Sequence, residues 1–154
     1  MILQECDLYQ FRVKNSDKNI VLSHGCFDVF HIGHLNYLKE SKKLGDILCV
    51  SVTNDSFINK GPDRPIFNIK ERLSIIDELK CVDCCCMSDD FTCINIIRKL
   101  QPNFYTKGVD VKGKEFDIGS NLYNECEELT RVNGKLIFVN SNTNITSTKI
   151  YNII

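Results

Sequence analysis

Apolar stretches of two kinds alternate along the chain from residue 19 onward. Short runs rich in β-branched and other apolar residues predict buried strands, and longer segments with apolar residues at helical spacing predict helices. The predicted strands cover residues 20–23, 47–53, 82–87, 104–106 and 136–139. The predicted helices cover residues 32–44, 68–79, 94–100, 122–132 and 146–153.

This alternation predicts one α/β domain in which the strands pair in parallel and helices cover both faces of the sheet. Right-handed crossovers leave a Rossmann-like, doubly wound parallel sheet of five strands as the expected architecture. We expect this domain to occupy residues 20–154. Residues 1–19 are expected to be a lead-in arm, with a short helix or irregular structure around Leu8, Tyr9 and Phe11.

Polar residues directly follow four of the predicted strands, at positions 26–34, 54–55, 107–110 and 140–149. In a doubly wound sheet, ligands bind beyond the carboxyl ends of the strands, where the strand order reverses. We therefore expect these four segments to contribute polar groups to one site.

The strongest chemical signal lies in residues 25–34, with the sequence Gly-Cys-Phe-Asp-Val-Phe-His-Ile-Gly-His. His31 and His34 share one face of the first helical turn, and Gly33 lets an anion approach the backbone closely. Free N–H groups at a helix start attract phosphate, to which imidazoles can donate hydrogen bonds. In the structural alternative, one histidine caps the helix and the other is solvated. Asp28 either caps the helix or binds a metal ion.

Cations and hydroxyls stand in the other segments. Lys60 and Arg64 lie in a loop rich in glycine and proline, where they either close over a polyphosphate or are merely solvated. Residues 107–110 place a cation, a flexible backbone point and a carboxylate at a strand end, which an ordinary turn explains almost as well. Residues 146–148 offer three hydroxyls at a helix start, where capping needs only one and a second phosphate contact would use more.

The composition excludes several function classes. A formal net charge of -1 without a basic stripe gives no footprint for nucleic acid. No apolar run approaches the roughly 20 residues of a membrane span, and the N-terminus lacks the order of a signal peptide, so we expect no membrane contact and a cytoplasmic location. Nine cysteines include one CxxC, Cys81 and Cys84, without a second pair at zinc spacing. This favours free thiols over metal or redox chemistry.

Absent motifs narrow the reaction class further. The sequence contains no nucleophile elbow, no GxGxxG and no GxxxxGK[ST]. The polar segments offer cations and hydrogen-bond donors rather than a strong base, which suits a nucleophile that is already an anion. A phosphate monoester attacking the α-phosphorus of a nucleoside triphosphate fits this description, usually with Mg²⁺ to neutralise the leaving pyrophosphate.

Residues 25–34 resemble the GxFDxxHxGH signature of the cytidylyltransferase-like nucleotidyltransferases. Matching pieces in family order extend the resemblance over residues 20–154, among them Asn54-Asp55, Arg64-Pro65, Glu71-Arg72 and Val82-Asp83. Within the family, the chain most resembles heptose 1-phosphate adenylyltransferase domains, which make ADP-heptose for lipopolysaccharide, and next glycerol-3-phosphate cytidylyltransferases. Family members are often dimers, so the resemblance implies a homodimer.

The resemblance also implies roles for individual residues. His31 and His34 would bind the triphosphate and stabilise the transition state, and Lys60 would approach the phosphates as a third catalytic residue. Asp28 would contact Mg²⁺, and the substrates would be ATP or CTP and a small phosphorylated acceptor. The implied nucleotide contacts are Cys26, Phe27, Asp28, Gly33, Arg64, Lys107, Gly108, Asp110, Thr146, Ser147 and Thr148.

Departures from the family pattern bear on the substrates. The RTxGIST run of cytidylyltransferases is replaced here by residues 140–146, which contain no arginine, and this favours ATP over CTP. Val111 replaces the tyrosine that heptose enzymes usually carry in KGxDY, and residues 112–130 also differ. The acceptor is therefore heptose 1-phosphate or another sugar or polyol phosphate. A nucleotide-binding module without turnover is the alternative from another class.

Overall fold

Six strands and six helices alternate through residues 1–153, which are the residues that the computed structural model describes. Residue 154, the last of the predicted domain, lies outside them. The strands are β1 (Ile2–Leu3), β2 (Ile20–Gly25), β3 (Ile47–Thr53), β4 (Cys84–Ser88), β5 (Phe104–Gly108) and β6 (Lys135–Val139). The helices are α1 (Leu8–Lys14), α2 (Ile32–Lys42), α3 (Ile69–Asp77), α4 (Ile94–Leu100), α5 (Asn121–Arg131) and α6 (Ser147–Tyr151). No helix in this part of the chain is long and apolar enough to cross a membrane.

All six strands pair in parallel in one sheet, in the order β1-β4-β3-β2-β5-β6. From β2 the chain proceeds outward through β3 and β4 on one side, and through β5 and β6 on the other. This is the doubly wound architecture that the sequence pattern predicts, and it is confirmed. The strand order reverses between β2 and β5, which is where such sheets bind their ligands.

The expected strand number of five is corrected by β1, which adds a sixth strand at one edge. Ile2 and Leu3 of β1 pair with Cys85 and Cys86 of β4. Two residues are too few to show a hydrophobic period, so periodicity could not reveal this strand. The lead-in helix is present as α1, and its Leu8 is completely buried.

Alternate residues of the central strands pack on opposite faces of the sheet, as the strand period requires. Ile20 and Leu22 of β2 pack with α1, α4 and α5, whereas Val21 packs with α2 and α3. All nine cysteines are unpaired, and burial raises the pKa of Cys85 to about 12. The fully buried cysteines act as small apolar core residues; they are Cys49, Cys84, Cys85, Cys86 and Cys93.

Candidate active site

A cavity of about 890 Å³ opens beyond the carboxyl ends of β2 and β5, at the reversal of strand order. Its walls come from the turn between β2 and α2, the loop after β3, the end of β5 and the segment between β6 and α6. Asp28 and Arg64 do not line it, and neither do residues 54–55. The other predicted site residues do: Cys26, Phe27, His31, Gly33, His34, Lys60, Lys107, Gly108, Asp110, Thr146, Ser147 and Thr148.

The lining of this cavity is cationic. Lys60, Lys107 and Lys149 face it, and Asp110 is the one carboxylate among its described lining residues. Lys149 Nζ donates a hydrogen bond of 2.8 Å to the carbonyl of Asn144, which fixes that ammonium group near the start of α6. A cleft lined by one sign of charge concentrates ions of the opposite sign, so this cavity suits a polyanion.

The turn between β2 and α2 has a strained backbone. Phe27 and Val29 both have a φ of 50°, in the left-handed region that a β-branched residue rarely adopts. The buried Arg72 of α3 stabilises this turn. It donates a hydrogen bond of 2.6 Å to the carbonyl of Cys26 and forms an ion pair with Asp55. Such strain persists only where the surrounding contacts impose it. Arg72 is one source of that constraint.

His31 and His34 stack at the start of α2, with ring centroids 3.9 Å apart and an angle of 27° between the planes. His31 is the N-cap residue, and its Nδ1 accepts a hydrogen bond of 3.0 Å from the Gly33 amide. In the neutral ring the proton of His31 therefore lies on Nε2. A Cβ on Gly33 would lie 2.8 Å from the His31 ring and 2.8 Å from the Thr143 side chain, so the site requires glycine here.

His34 packs between two phenyl rings and carries no charge at neutral pH. Its ring centroid lies 5.3 Å from that of Phe27 and 5.4 Å from that of Phe30. Burial, followed by the charges of His31 and Lys60, lowers the pKa of His34 from 6.5 to about 3. Its Nδ1 is buried without a hydrogen-bond partner among residues 1–153. An orphaned buried atom of this kind is costly until a ligand or water satisfies it.

Asp28 and Arg64 form a buried ion pair outside the cavity lining. Arg64 Nε donates to Asp28 Oδ2 at 2.7 Å, and the two side chains are only 2% and 0% exposed. Asp28 also accepts hydrogen bonds from the amides of Ile66, at 3.1 Å, and Phe67, at 3.2 Å. Burial alone would raise the pKa of Asp28, but the hydrogen bonds from Arg64, Phe67 and Ile66 hold it below its ordinary value.

The expectations that Asp28 binds Mg²⁺ and that Arg64 contacts the nucleotide therefore do not fit this structure. The carboxylate of Asp28 is fully buried and is already bound by a guanidinium and two amides. Among residues 1–153, no group of three or more His, Cys, Asp or Glu side chains could hold a metal ion. The residues present among 1–153 therefore do not form a protein-built magnesium site.

Arg64 also connects its own loop to the C-terminal helix. Its guanidinium carbon lies 4.8 Å from the ring centroid of Tyr151 in α6, within cation–π range. The Tyr151 hydroxyl donates a hydrogen bond of 3.4 Å to the carbonyl of Pro62. Arg64 thus joins three segments around the cavity: the turn after β2, the loop that carries Lys60, and α6.

Lys107, at the end of β5, lies beside the buried carboxylate of Glu125. Its Nζ is 3.7 Å from Oε2 of Glu125 and 5.1 Å from the ring centroid of Tyr105. Glu125 is buried and accepts hydrogen bonds from the Tyr105 hydroxyl at 2.8 Å and the Cys93 amide at 2.9 Å. These contacts fix the ammonium group of Lys107. Asp110, by contrast, lies exposed in the 3₁₀ turn that follows β5.

The three hydroxyls at the start of α6 divide between two roles. Thr146 caps the helix, because its Oγ1 accepts a hydrogen bond of 3.1 Å from the Lys149 amide. Ser147 is buried and Thr148 is exposed, and both line the cavity. The capping alternative therefore accounts for one of the three hydroxyls.

A second cavity, of about 470 Å³, adjoins the first. Phe57 and Phe91 belong to its wall and meet edge to face, with their centroids 4.8 Å apart. Its charged and hydrogen-bonding residues outside the shared wall are Thr53, Lys114, Asp117, Ser120, Asn121 and Glu125. The residues that line both cavities are His24, Gly25, Cys26, Lys107 and Val111.

Sequence reasoning missed several of these lining residues. His24 follows the predicted strand 20–23 directly, and that position at a strand end is the one signal that could have found it. Tyr37 also lines the first cavity, but its hydroxyl already donates a hydrogen bond of 2.7 Å to the carbonyl of Thr106. Phe57 and Phe91 lie in loops without a sequence period, so only the folded chain brings them together.

The chain is similar in sequence to one protein family and to several known bacterial proteins. A family model described as cytidylyltransferase-like matches residues 22–153. The bifunctional protein HldE of Campylobacter fetus is 38% identical over 136 residues, which cover 87% of this chain and 28% of that protein. The bifunctional protein HldE of Helicobacter pylori is 40% identical over 115 residues, covering 73% and 25% respectively. The chain thus spans about a quarter of the length of these relatives.

Two solved structures share the fold. The lipopolysaccharide core biosynthesis protein from Thermoplasma volcanium superimposes with a TM-score of 0.64 at 32% identity, covering 80% of this chain and 95% of that chain. The pantoate–β-alanine ligase of Francisella tularensis, solved with a β,γ-ATP ligand and β-alanine, gives a TM-score of 0.60 at 17% identity. Its match covers 98% of this chain and 75% of that chain, and it shows the fold alone.

The lowered pKa of His34 predicts an acid-sensitive fold. Between the unfolded pKa of 6.5 and the folded value of about 3, the unfolded chain binds a proton at His34 and the folded chain does not. The free energy of unfolding therefore falls as the pH falls through this window, by about 2 kcal/mol from His34 between pH 7 and pH 5. Urea unfolding at both pH values, compared with His34→Gln, measures this difference. Equal pH dependence in the two proteins would contradict the prediction.

Replacing Asp28 should lower the free energy of unfolding and loosen the loop that carries Lys60. Asp28→Asn leaves Arg64 buried without its counter-charge, and loss of one partner of such a pair costs about 3 kcal/mol. We expect the free energy of unfolding to fall by this amount, and limited proteolysis to cut the loop around Lys60 faster. Asp63→Asn, at an exposed position of the same loop, is the matched control and should change neither measurement. The prediction fails if both variants behave alike.

Proposed function

The chain belongs to the cytidylyltransferase-like family of nucleotidyltransferases, and we propose that it transfers AMP from ATP to a sugar phosphate such as heptose 1-phosphate, releasing pyrophosphate. CTP and CMP are the second choice of nucleotide. The similarity to the bifunctional protein HldE and to a lipopolysaccharide core biosynthesis protein supports a product destined for cell-surface glycans. Because the chain spans only part of HldE, the proposal covers one activity of such a bifunctional protein.

The first cavity suits the nucleoside triphosphate. Its three lysines and single carboxylate match the charge of a polyphosphate. The Nε2–H of His31 can donate to a phosphate oxygen, and in His34 the nitrogen that a phosphate can reach is Nε2, because Nδ1 is buried. A bound polyanion would also raise the pKa of both imidazoles, because a nearby negative charge favours their protonated forms. Lys60 is exposed in its loop and would close over the phosphates.

The second cavity suits the acceptor. It adjoins the first cavity at the ends of β2 and β5, so a molecule bound there can reach the α-phosphorus of a nucleotide bound next to it. Its wall combines an aromatic pair, Phe57 and Phe91, with hydroxyl, amide, ammonium and carboxylate groups. A small polyhydroxylated phosphate has the matching chemistry: hydroxyls for Asp117 and Asn121, and a phosphate for Lys107. This adjacency of a cationic cavity and a polar one is the observation that carries the proposal.

In the proposed reaction, an oxygen of the acceptor phosphate attacks the α-phosphorus of the nucleotide. The bond from the α-phosphorus to the oxygen that bridges to the β-phosphorus breaks, and pyrophosphate leaves with the bonding electrons. A phosphate monoester has a second pKa of about 6 and is largely dianionic at neutral pH, so no catalytic base is required. The protein's contribution is to align the two phosphates and to place donors and cations where negative charge accumulates.

The proposal also includes the choice of nucleotide, the metal ion, the location and the oligomeric state. Residues 140–146 contain no arginine, which favours ATP over CTP. Mg²⁺ would accompany the triphosphate as substrate. A cytoplasmic location, where nucleoside triphosphates are available, is part of the proposal. The homodimer implied by the family resemblance stays a prediction.

The direct test is a matrix of pyrophosphate-release assays with Mg²⁺. ATP and CTP are each paired with heptose 1-phosphate, glycerol 3-phosphate and other sugar phosphates. We expect turnover with ATP and a sugar 1-phosphate, and a lower kcat/KM with CTP. Release that needs no acceptor would indicate simple hydrolysis. Nucleotide binding without release across the matrix would favour a binding module over the proposed enzyme.

His34 provides a test of mechanism. We expect His34→Ala to lower kcat by at least about 100-fold, because removing one well-placed donor to transition-state charge has effects of this size. Far-ultraviolet circular dichroism should remain that of the wild type. Lys43→Ala, at the exposed far end of α2, is the control and should keep full activity. Turnover within tenfold of wild type in His34→Ala would remove His34 from the mechanism.

A further inference from the structure

His24 lies where the two cavities meet. Among the described residues, only five line both cavities, and only His24 and Lys107 among them carry nitrogen-bearing side chains. If one cavity holds the nucleotide and the other the acceptor, the attacking oxygen and the α-phosphorus meet beside this shared wall. The side chains of the shared wall are then nearest to the reacting atoms.

The hydrogen bond to Ser51 orients the His24 ring. His24 Nδ1 lies 3.1 Å from Ser51 Oγ, on the neighbouring strand β3, where the two residues are in register. Ser51 is completely buried, so its hydroxyl hydrogen needs a nearby acceptor. The imidazole nitrogen is a stronger acceptor than the neighbouring thiol of Cys93. In the tautomer in which the Ser51 hydroxyl donates to Nδ1, the ring proton of His24 lies on Nε2.

The Nε2 atom of His24 is the ring nitrogen that does not contact Ser51. It makes no hydrogen bond within residues 1–153, and yet it is not among the buried unpartnered atoms there, so it reaches open space. Burial, and then the charge of Lys107, lowers the pKa of His24 well below its ordinary value. The ring is therefore neutral at physiological pH, and with Nδ1 as an acceptor its one N–H donor is at Nε2.

We propose that His24 is a third catalytic histidine, whose Nε2–H donates a hydrogen bond to the acceptor phosphate at the junction of the two cavities. This inference rests on the proposed function. Lys107 supplies a positive charge at that point. His24 supplies a hydrogen-bond donor of defined direction, because the Ser51 contact fixes its ring. His31 and His34 serve the triphosphate from the start of α2, whereas His24 serves the acceptor from the end of β2.

The test compares two substitutions at position 24. His24→Phe keeps a planar ring and removes both nitrogens, whereas His24→Gln carries an amide N–H near the position of the imidazole Nε2. Steady-state kinetics with ATP and the best acceptor of the substrate matrix give kcat and both KM values. Calorimetric titration with a non-hydrolysable ATP analogue gives the nucleotide affinity separately. The ¹⁵N chemical shifts of His24 in the wild type show which ring nitrogen is protonated.

We expect His24→Phe to lower kcat/KM for the acceptor by about ten- to hundredfold, the range for a hydrogen bond to a charged group. Affinity for the ATP analogue should stay within twofold of wild type, His24→Gln should recover at least half of the loss on a logarithmic scale, and the proton should lie on Nε2. Unchanged acceptor kinetics in His24→Phe, equal loss of nucleotide affinity, or a proton on Nδ1 would each overturn the inference. A wild-type protein without turnover would overturn the proposed function itself, which distinguishes the two failures.

Discussion

The buried ion pair between Asp28 and Arg64 is the contact on which the arrangement of the cavity depends. Two charges removed from water are costly unless their geometry is good and their remaining hydrogen-bonding capacity is used. Here the amides of Ile66 and Phe67 complete the shell of Asp28, and Tyr151 lies against the guanidinium of Arg64. The pair therefore fixes the positions of the strained turn after β2, the Lys60 loop and α6 relative to one another. The groups that would bind phosphate are carried by the segments that this pair joins.

A second constraint is that both histidines at the start of α2 are uncharged in the free protein. Burial and the nearby Lys60 disfavour their protonated forms. The Nδ1 of His31 already accepts a hydrogen bond from the amide of Gly33. Each ring is thus fixed before any ligand arrives, with one nitrogen available. Donors that are already oriented need little reorganisation when charge develops, which is the condition for effective electrostatic stabilisation. The buried Nδ1 of His34, which has no hydrogen-bond partner among residues 1–153, is a local cost in the free protein.

The sequence predicted the doubly wound sheet well because strand and helix periods alternate without interruption from β2 to α6. It also predicted most of the cavity lining, since polar residues after strand ends converge in such a sheet. Pattern could not reveal pairings between distant residues. Asp28 and Arg64 are 36 positions apart, and residue type alone did not show that each neutralises the other instead of a ligand. β1 is too short for a period, and His24 looks like any strand residue until β3 and β5 surround it.

Outside their shared wall the two cavities draw on different parts of the chain, and in the proposed reaction this would separate binding of the nucleotide from selection of the acceptor. Lys114 and Asp117 line only the second cavity, so in the proposed reaction substitutions there would affect the acceptor and leave the groups that face the first cavity in place. Glu125 differs from these two. It lines the second cavity, yet it also holds the ammonium group of Lys107, which faces both. Loss of its carboxylate would leave the buried Tyr105 hydroxyl and the Cys93 amide without an acceptor. Position 125 is therefore constrained by the packing of both cavities.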